Sequence, residues 1–445
     1  MTKRRKTVWT LWLLGGTIFL CSVGMVWAKD VELPPPGKPL TLEQCVAIGL
    51  KFNPALRGNQ ASVEAQKARV EQALSAYYPQ LNFNASYNTN TYNFVSLGGQ
   101  TRPYTYAWTF VDIFSMGPNL TQTIYDFGRT SSAVKQNREN VKASEQDLVA
   151  TRQAVILNVK QAYFGALQTQ HLVEVAQDVV KQSRQYLDQA KGFYQAGTRP
   201  KIDVTRAEVN LANAELGLIT AKNNHLVARV NLNNAMGLTE KLDFPLEDIT
   251  GITPGGVELE EIIKTAFERR PELLQLKAKQ RSQEAAVELA RSSYFPILSG
   301  TAQYLLRGRH MPNDLAWDAF LGATLTVPIF SGFSTPNQVS EQRANLRNLL
   351  SQEETLKLNI RLEAEQAYLS QKQAEEQVRV SQKTVEQAKE NYDLAAGRYQ
   401  VGVGSPLEIT DAEVALANAR VNYIQAIYNY KIAEARIEKA MGINP

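Results

Sequence analysis

The residues that could do chemistry in this chain are few and widely scattered. His171, His225 and His310 lack the spacing of metal ligands. The sequence contains no nucleophile elbow and no phosphate-binding loop, and its many acids lie on long helical stretches whose charged faces are solvated. We therefore expect a protein that is not an enzyme and that has no cofactor and no metal site.

Acids that follow two glycine turns stand out by their position. Asp203 follows Gly197 by six residues, and Glu408 follows Gly402 by the same interval, with Asp411 three residues further on. The two acids of the second turn fall in the first turn of the next predicted helix. Acids at such positions favour the helix dipole and cap the helix, and this alone could account for them.

These turns belong to an internal repeat. Residues 194–214 and 399–419 align without a gap, at an offset of 399 − 194 = 205. Upstream, residues 40–56 align with 257–273, so the repeat covers most of the chain. A repeat of this length is an architectural unit and indicates a duplicated fold. The aligned positions include Tyr194 with Tyr399, Gly197 with Gly402, Glu208 with Glu413 and Met236-Gly237 with Met441-Gly442.

The repeat predicts four segments: a signal peptide at 1–28, a first structural repeat at 29–237, an inter-repeat linker at 238–256 and a second structural repeat at 257–445. The first segment has four basic residues, a mostly apolar core and a small-residue cleavage site. Its removal takes the formal net charge from +4 to 4 − 4 = 0, so nothing indicates nucleic-acid binding. Cys45 would then be the single cysteine, which excludes an intramolecular disulfide.

Each repeat contains a region predicted to form β-strands, at 81–125 and at 297–330. Residues 81–88 alternate apolar and polar side chains without a fault. No stretch after the signal peptide reaches the ~20 apolar residues of a membrane helix, so membrane insertion must use strands. The alternative is a half-buried soluble sheet; the export signal favours the membrane. The first repeat is longer by 217 − 205 = 12 residues, which predicts an enlarged loop at 96–104.

Long helical patterns follow the strands, at 129–237 and at 334–441. Apolar residues recur every seven positions, which is typical of coiled-coil packing. A continuous helix from Arg129 to Ala196 would be about 100 Å long. Each pattern turns back once, at 197–202 and at 402–407, through a glycine-containing segment.

These features together resemble the outer-membrane efflux protein family, the TolC-like exit ducts of Gram-negative bacteria. The resemblance covers the chain from Leu40 onwards. It rests on the duplication, on the Tyr-Gln-x-Gly turn followed six residues later by an acid, and on two further pairs of motifs. These are the aromatic-proline entries to the strands at Tyr78-Pro79 and Phe295-Pro296 and the strand exits at 123–129 and 327–333.

The resemblance implies a mainly α fold with a β-barrel portion. Three subunits would each give four strands to a shared 12-stranded barrel in the outer-membrane lipid, continued by an α-helical tunnel in the periplasm. The implied function is the passive exit duct of a tripartite efflux or type I secretion system, a homotrimer that docks a periplasmic adaptor protein and an inner-membrane pump.

The resemblance also implies roles for residues at the two turns. Glu408 and Asp411 would line the periplasmic aperture, where a ring of acids attracts cations and repels anions. A tip lock would join Tyr399 to Asp203. An arginine expected two residues after the second turn glycine is missing, since Gly404 stands there, and Arg199 occupies the equivalent place in the first copy.

The turns themselves would be docking points for the adaptor. Gly197, Gly402 and Gly404 permit backbone conformations with positive φ that other residues resist, although a helical hairpin needs such glycines without any partner. A different class of protein, a periplasmic coiled-coil adaptor or structural protein, is the alternative to the channel. It would explain the helices and the signal peptide but not the alternating aromatic strands.

Overall fold

The chain folds as two copies of one pattern, in which a broken helix leads into a strand hairpin and then into two long helices. The computed structural model describes residues 39–93, 108–239, 244–249, 251, 258–309 and 314–443. The signal peptide predicted at 1–28 and the enlarged loop predicted at 96–104 lie outside these residues. The described residues are mostly helical with one small sheet, which confirms the predicted mixture of elements.

Each copy begins with a helix that a proline divides in two. Asn53 and Arg270, the residues that precede the prolines, are extended, with φ, ψ of −63°, 123° and −64°, 123°. Proline disfavours the helical conformation of the residue before it, so the helix must break there. The second piece of each copy ends in a short 3₁₀ turn. The helices are α1 Leu42–Phe52, α2 Pro54–Leu74, α5 Leu259–Arg269 and α6 Pro271–Arg291.

The four strands form one antiparallel sheet. They are β1 Gln80–Asn93, β2 Trp108–Tyr125, β3 Ile297–Gly308 and β4 Ala316–Thr326, in the order β1-β2-β3-β4. The two hairpins are joined because β2 pairs with β3, with Leu120 opposite Ala302. The strand predicted to reach Phe330 instead ends at Thr326, and Pro328, which has no N–H to donate to a strand neighbour, lies just beyond. The strands β1 and β4 are therefore the two edges of the sheet.

Four long helices continue from the sheet, and each copy contributes an antiparallel pair. The outgoing helices are 67 residues long and the returning ones 35 residues. The helix α3 packs along α4, α7 packs along α8, and α3 and α8 also pack against each other. The helices α4 and α7 thus lie at opposite edges of this layer of four helices. The bounds are α3 Arg129–Gln195, α4 Lys201–Ala235, α7 Ser334–Gln400 and α8 Pro406–Ala440.

The returning helices end on the proline joints in the same way in both copies. Gly237 has φ of +74°, and a Cβ there would lie 2.8 Å from Asn53 Cα. Gly442 has φ of +71°, and a Cβ there would lie 2.9 Å from the carbonyl carbon of Arg269. Only glycine combines a left-handed backbone with so close an approach. The repeated Met-Gly motif therefore fastens each long hairpin to the helix that precedes its strands.

Part of the predicted linker packs into the core instead of lying free. Leu246 forms an isolated parallel bridge with Leu40, and both side chains are buried. The hydroxyl of Tyr163, on α3, lies 3.1 Å from the carbonyl oxygen of Leu40 and 2.6 Å from that of Glu247. The chain before α1 and the chain between the repeats are thus held against the same helix. The repeat and linker boundaries remain predictions.

Candidate functional site at the helical tip

The far ends of the two long hairpins are built alike. Gly197 and Gly402 have φ of +70° and +81°, and a Cβ added at either would meet nothing within 4 Å. The glycine is therefore required by backbone conformation and not by space. In each turn the glycine N–H and the next N–H donate back to carbonyls of the last helical turn, as in other glycine-terminated helices. These bonds join Gly197 to Tyr194, Thr198 to Phe193, Gly402 to Tyr399 and Val403 to Arg398.

Gly404 differs from Gly197 and Gly402 in its backbone conformation. It is buried and is not among the described residues with positive φ. A Cβ at this position would lie 2.7 Å from the backbone nitrogen of Tyr399 and 2.9 Å from the carbonyl carbon of Arg398. Gly404 thus does not use the positive φ that a glycine permits, and its part in adaptor docking stays a prediction. This glycine lets the chain pass directly over the end of α7.

Arg199 joins the two turns. Its Nη2 donates to the carbonyl oxygen of Gly404 at 2.7 Å and lies 3.4 Å from that of Gly402, while its Nη1 lies 3.8 Å from Asp203 Oδ2. A cation at these carbonyls also faces the negative end of the α7 dipole. Sequence reasoning assigned Arg199 no role of its own. The signal was present, because Arg199 aligns with Gly404 in the repeat.

Tyr399 lies at the centre of a small aromatic core beneath the turns. Its side chain is fully buried, with its ring centroid 5.1 Å from that of Tyr186 and 5.7 Å from that of Phe193. The Arg199 guanidinium lies 5.1 Å from the centroid of the same ring, a cation–π distance. Ile409 of α8 completes the cluster. All four long helices or their turns therefore contribute to one packed unit at the tip.

The two buried phenols of this core are poor proton donors. Burial raises the pKa of Tyr186 above its ordinary value, and the facing phenol of Tyr399 adds to that effect. Burial likewise raises the pKa of Tyr399. Neither hydroxyl has a hydrogen-bond partner in the part of the chain that the structure describes. Both groups stay neutral at physiological pH and act through packing.

The predicted lock residues Asp203 and Tyr399 are brought together by Arg199, which contacts both. Asp203 is buried, with 7% of its surface exposed, and its carboxylate pairs with Arg199. Tyr399 contacts the same guanidinium with its ring face, and its hydroxyl makes no hydrogen bond to Asp203. The arrangement is therefore acid, arginine and aromatic ring in sequence. Whether it acts as a lock remains a prediction.

The predicted aperture residues lie on the exposed face of α8. Glu408 and Asp411 are both exposed and three residues apart, so they share one side of the helix. Ser405 makes the cap, because its hydroxyl accepts the N–H of Leu407 at 3.3 Å. Only Glu408 lies in the first turn of α8, where a dipole effect is felt. Capping and dipole therefore give no account of Asp411.

A basic residue compensates one of these acids. Arg398, in the last turn of α7, has its Nε 3.6 Å from Glu408 Oε2. Both side chains are more than half exposed, so the pair contributes little stability. Within the described residues no ion pair is formed by Asp411. The charge of this surface is therefore unevenly compensated.

The described residues lack two further features. They contain no group of three or more His, Cys, Asp or Glu side chains that could hold a metal ion. Among the helices that the structure describes, none is both long enough and apolar enough to cross a membrane.

Comparison with known proteins identifies the family. The sequence model described as outer membrane efflux protein matches residues 49–238 and 262–443, one match for each repeat. The chain belongs to this family. The matched segments cover both tip turns and all four long helices, so the tip that these elements form lies within the family's matched region.

Individual relatives are distant in sequence but similar over nearly the whole length. Outer membrane protein TolC of Escherichia coli (strain K12) is 23% identical over 414 residues, which cover 88% of this chain and 80% of TolC. The solved structure of the outer-membrane channel OprN superposes with a TM-score of 0.77 at 20% identity, covering 91% and 90% of the two chains. The solved structure of CusC superposes with a TM-score of 0.77 at 18% identity, covering 94% of this chain and 96% of CusC.

The predicted family, location and general function are thereby confirmed. The protein is an outer-membrane efflux channel that extends into the periplasm, which removes the alternative of a periplasmic adaptor or structural protein. Its family is one of transport ducts and not of enzymes.

Proposed function

We propose that three copies of the chain close into one duct, with a 12-stranded barrel in the outer membrane and a helical tunnel below it. The observation that carries this proposal is that the subunit has two unpartnered edges in its sheet and two in its pairs of long helices. The strands β1 and β4 are the sheet edges, and α4 and α7 are the helical edges.

The sheet edges require partners. Four strands cannot close a barrel, and unpaired N–H and C=O groups are untenable in lipid. One face of β4 is strongly apolar, with Trp317, Leu321 and Leu325 exposed by 70%, 86% and 60%. On β1, Leu81 and Phe83 are each 69% exposed. Pairing of β1 with β4 of the next subunit would complete the ladder and turn these side chains towards lipid.

The helical edges support the same contact. On α4, Ile202, Val209 and Leu216 recur every seven residues and are 56%, 55% and 63% exposed. On α7, Leu362 and Leu369 recur at the same interval, exposed by 52% and 64%. Such stripes are the seams of coiled coils. A contact between two different edges is heterologous, and it forms a ring when the rotation closes.

The tip would be the gate of this duct. Three copies of Glu408 and Asp411 would surround the periplasmic aperture and favour cations over anions. The contacts of Arg199 with Asp203 and with the Tyr399 ring support a lock that holds α7 and α8 against α3 and α4. Opening would be a repacking of these helices, biased by a bound periplasmic adaptor.

The turns that carry Gly197 and Gly402 would form the docking surface for that adaptor. Both turns are exposed, as an interaction surface must be. The channel would be passive, catalyse no reaction and need no cofactor, and an inner-membrane pump would supply the energy.

The trimer is tested by breaking the helical seam. Leu216→Glu places a charge in the proposed α4–α7 contact, whereas Leu216→Met keeps an apolar side chain of similar volume. We expect the wild type and Leu216→Met to migrate as heat-sensitive trimers in detergent and to conduct ions in planar bilayers. Leu216→Glu should yield monomers. A wild-type protein that is monomeric in detergent would refute the proposal.

A further inference from the structure

A buried carboxylate lies directly above the tip core. Glu413, on α8, is only 7% exposed. It accepts one hydrogen bond, from the hydroxyl of Ser183 on α3 at 2.8 Å. Ser183 itself is 3% exposed, so the contact lies inside the α3–α8 interface. Ser183 precedes Tyr186 by three residues and Glu413 follows Ile409 by four. The pair therefore packs one helical turn from the Tyr399 core.

No cation compensates this carboxylate within the described parts of the chain. Ser183 faces it from α3, and Tyr392 is the titratable group that interacts with it from α7. The nearest basic residue along α8 is Arg420, whose Nη1 pairs instead with Asp178 of α3 at 3.1 Å. An ionised carboxylate can accept several hydrogen bonds, and here it receives one. The ionised form is therefore poorly stabilised in the packed tip.

The two copies of the repeat differ in the burial of this glutamate. Glu208 aligns with Glu413 in the repeat, yet it lies exposed on α4. Within one subunit Glu208 is therefore exposed and Glu413 buried, because α4 lies at an edge of the subunit whereas α8 is covered by α3. Nothing in the packing of α8 requires an acid at this place, because neighbouring inward positions hold Ala412 and Leu416.

We propose that Glu413 is a pH-dependent switch of the tip. In its ionised form it weakens the packing of α8 on α3 and promotes opening, and in its protonated form it holds the tip closed. This inference rests on the proposed role of the tip as the gate, and it names a residue that regulates it.

The direction follows from linkage. Burial raises the pKa of the Glu413 carboxyl, and the Ser183 hydrogen bond offsets part of that rise. The packed tip therefore binds the proton more tightly than a state in which Glu413 is hydrated. Lowering the pH through the raised pKa stabilises the packed tip, and above it the full penalty of the buried charge applies.

Glu413→Gln tests the switch, because glutamine has the same shape and keeps an acceptor for Ser183. Asp188→Asn is the control, because Asp188 is an acid that lies exposed on α3, five residues after Ser183. Amide hydrogen exchange of the first turns of α8 would be measured in detergent-purified protein from about pH 5 to about pH 8, corrected for the intrinsic rate. We expect Glu413→Gln to slow exchange about fivefold at neutral pH and to remove its pH dependence, with Asp188→Asn behaving as the wild type.

Two further outcomes decide between explanations. Ser183→Ala removes the one hydrogen bond to the carboxylate, so it should speed exchange at neutral pH; this variant also serves if Glu413→Gln does not assemble. A Glu413→Gln protein with the wild-type pH response overturns the inference.

Conductance in planar bilayers is measured in parallel. A wild-type protein that shows the exchange difference but conducts no ions would contradict the proposed channel tip while leaving the protonation switch supported.

Discussion

The two tip turns share a backbone but differ in what they contribute. The first turn supplies a side chain, Arg199, and the second supplies the carbonyl oxygens that receive it. At the position equivalent to Arg199 the second turn has Gly404, which admits no side chain. The two copies of the repeat have thus become complementary halves of one contact. Duplication therefore sets the backbone of both turns, whereas their side chains have diverged to make different parts of the contact.

The largest effect is expected where the second turn is most crowded. Gly404→Val places a branched side chain against the backbone of Tyr399, and such overpacking costs about 3 kcal/mol. We expect loss of amide protection in both tip turns, because Tyr399 packs against elements of each copy. The upper ends of the helices should keep their protection. Protection unchanged at the tip would show that the turn can move aside and that Gly404 is not required by space.

Removal of the side chain from the first turn should have a slightly smaller effect. Arg199→Gln loses charge-assisted hydrogen bonds to two carbonyls and the ion pair with Asp203, which together stabilise the tip by about 2 kcal/mol. Arg199→Lys keeps the charge without the planar fork and should be intermediate. Differential exchange at the tip checks both variants. Equal behaviour of lysine and wild type would mean that charge alone matters.

A smaller and symmetrical effect is expected at the turn glycines. Gly197→Ala and Gly402→Ala each force an alanine into a left-handed backbone, which costs about 1–2 kcal/mol. The cost should be equal in the two copies, since a Cβ meets nothing in either. Thermal unfolding of the purified protein measures it. Unequal costs would reveal a difference between the turns that lies outside their backbone conformation.

A substitution at Gly402 also tests adaptor docking. Gly402→Val should abolish export in cells while trimers still form and conduct ions, because the substitution alters an exposed surface and not the seam between subunits. If trimers vanish together with export, the glycine serves folding alone.

The smallest effect on stability is expected at Arg398. Arg398→Gln removes an exposed ion pair, which contributes at most about 0.5 kcal/mol. It would leave Glu408 uncompensated in each subunit, however, and so make a trimeric aperture more negative. We expect unchanged unfolding and a shift of bilayer reversal potential towards stronger cation selectivity. Asp411→Asn should shift it the other way. A reversal potential insensitive to both substitutions would place these residues away from the pore.

Much of the fold could be predicted from the sequence because its signals are periodic and repeated. The prolines at 54 and 271, the alternation from Leu81 and the heptads of the long helices each indicate one element type, and the structure has these elements near the predicted bounds. The offset of 205 residues also brought the tip positions into register before any contact was known.

The side-chain chemistry of the tip was less accessible to sequence reasoning. A glycine at position 404 permits a positive φ, but its neighbour in space is the backbone of Tyr399, and that contact depends on how the chain crosses the end of α7. Burial of Glu413 was also invisible, because its repeat partner Glu208 has the same sequence context and lies exposed. Periodicity reports which face of a helix is apolar, and it does not report which polar residue a second helix will cover.

Gly237 and Gly442 fix the ends of the returning helices that lie far from the tip. Each anchors the returning helix against a proline joint, at the end opposite the turns. A helix of 35 residues spans about 50 Å, so any rearrangement at the periplasmic end must be absorbed as bending or rewinding along that rod, since the anchored end cannot slide. We therefore expect a bulkier residue at position 442 to alter the proposed gating from the far end of this helix, without contacting Glu408 or Asp411.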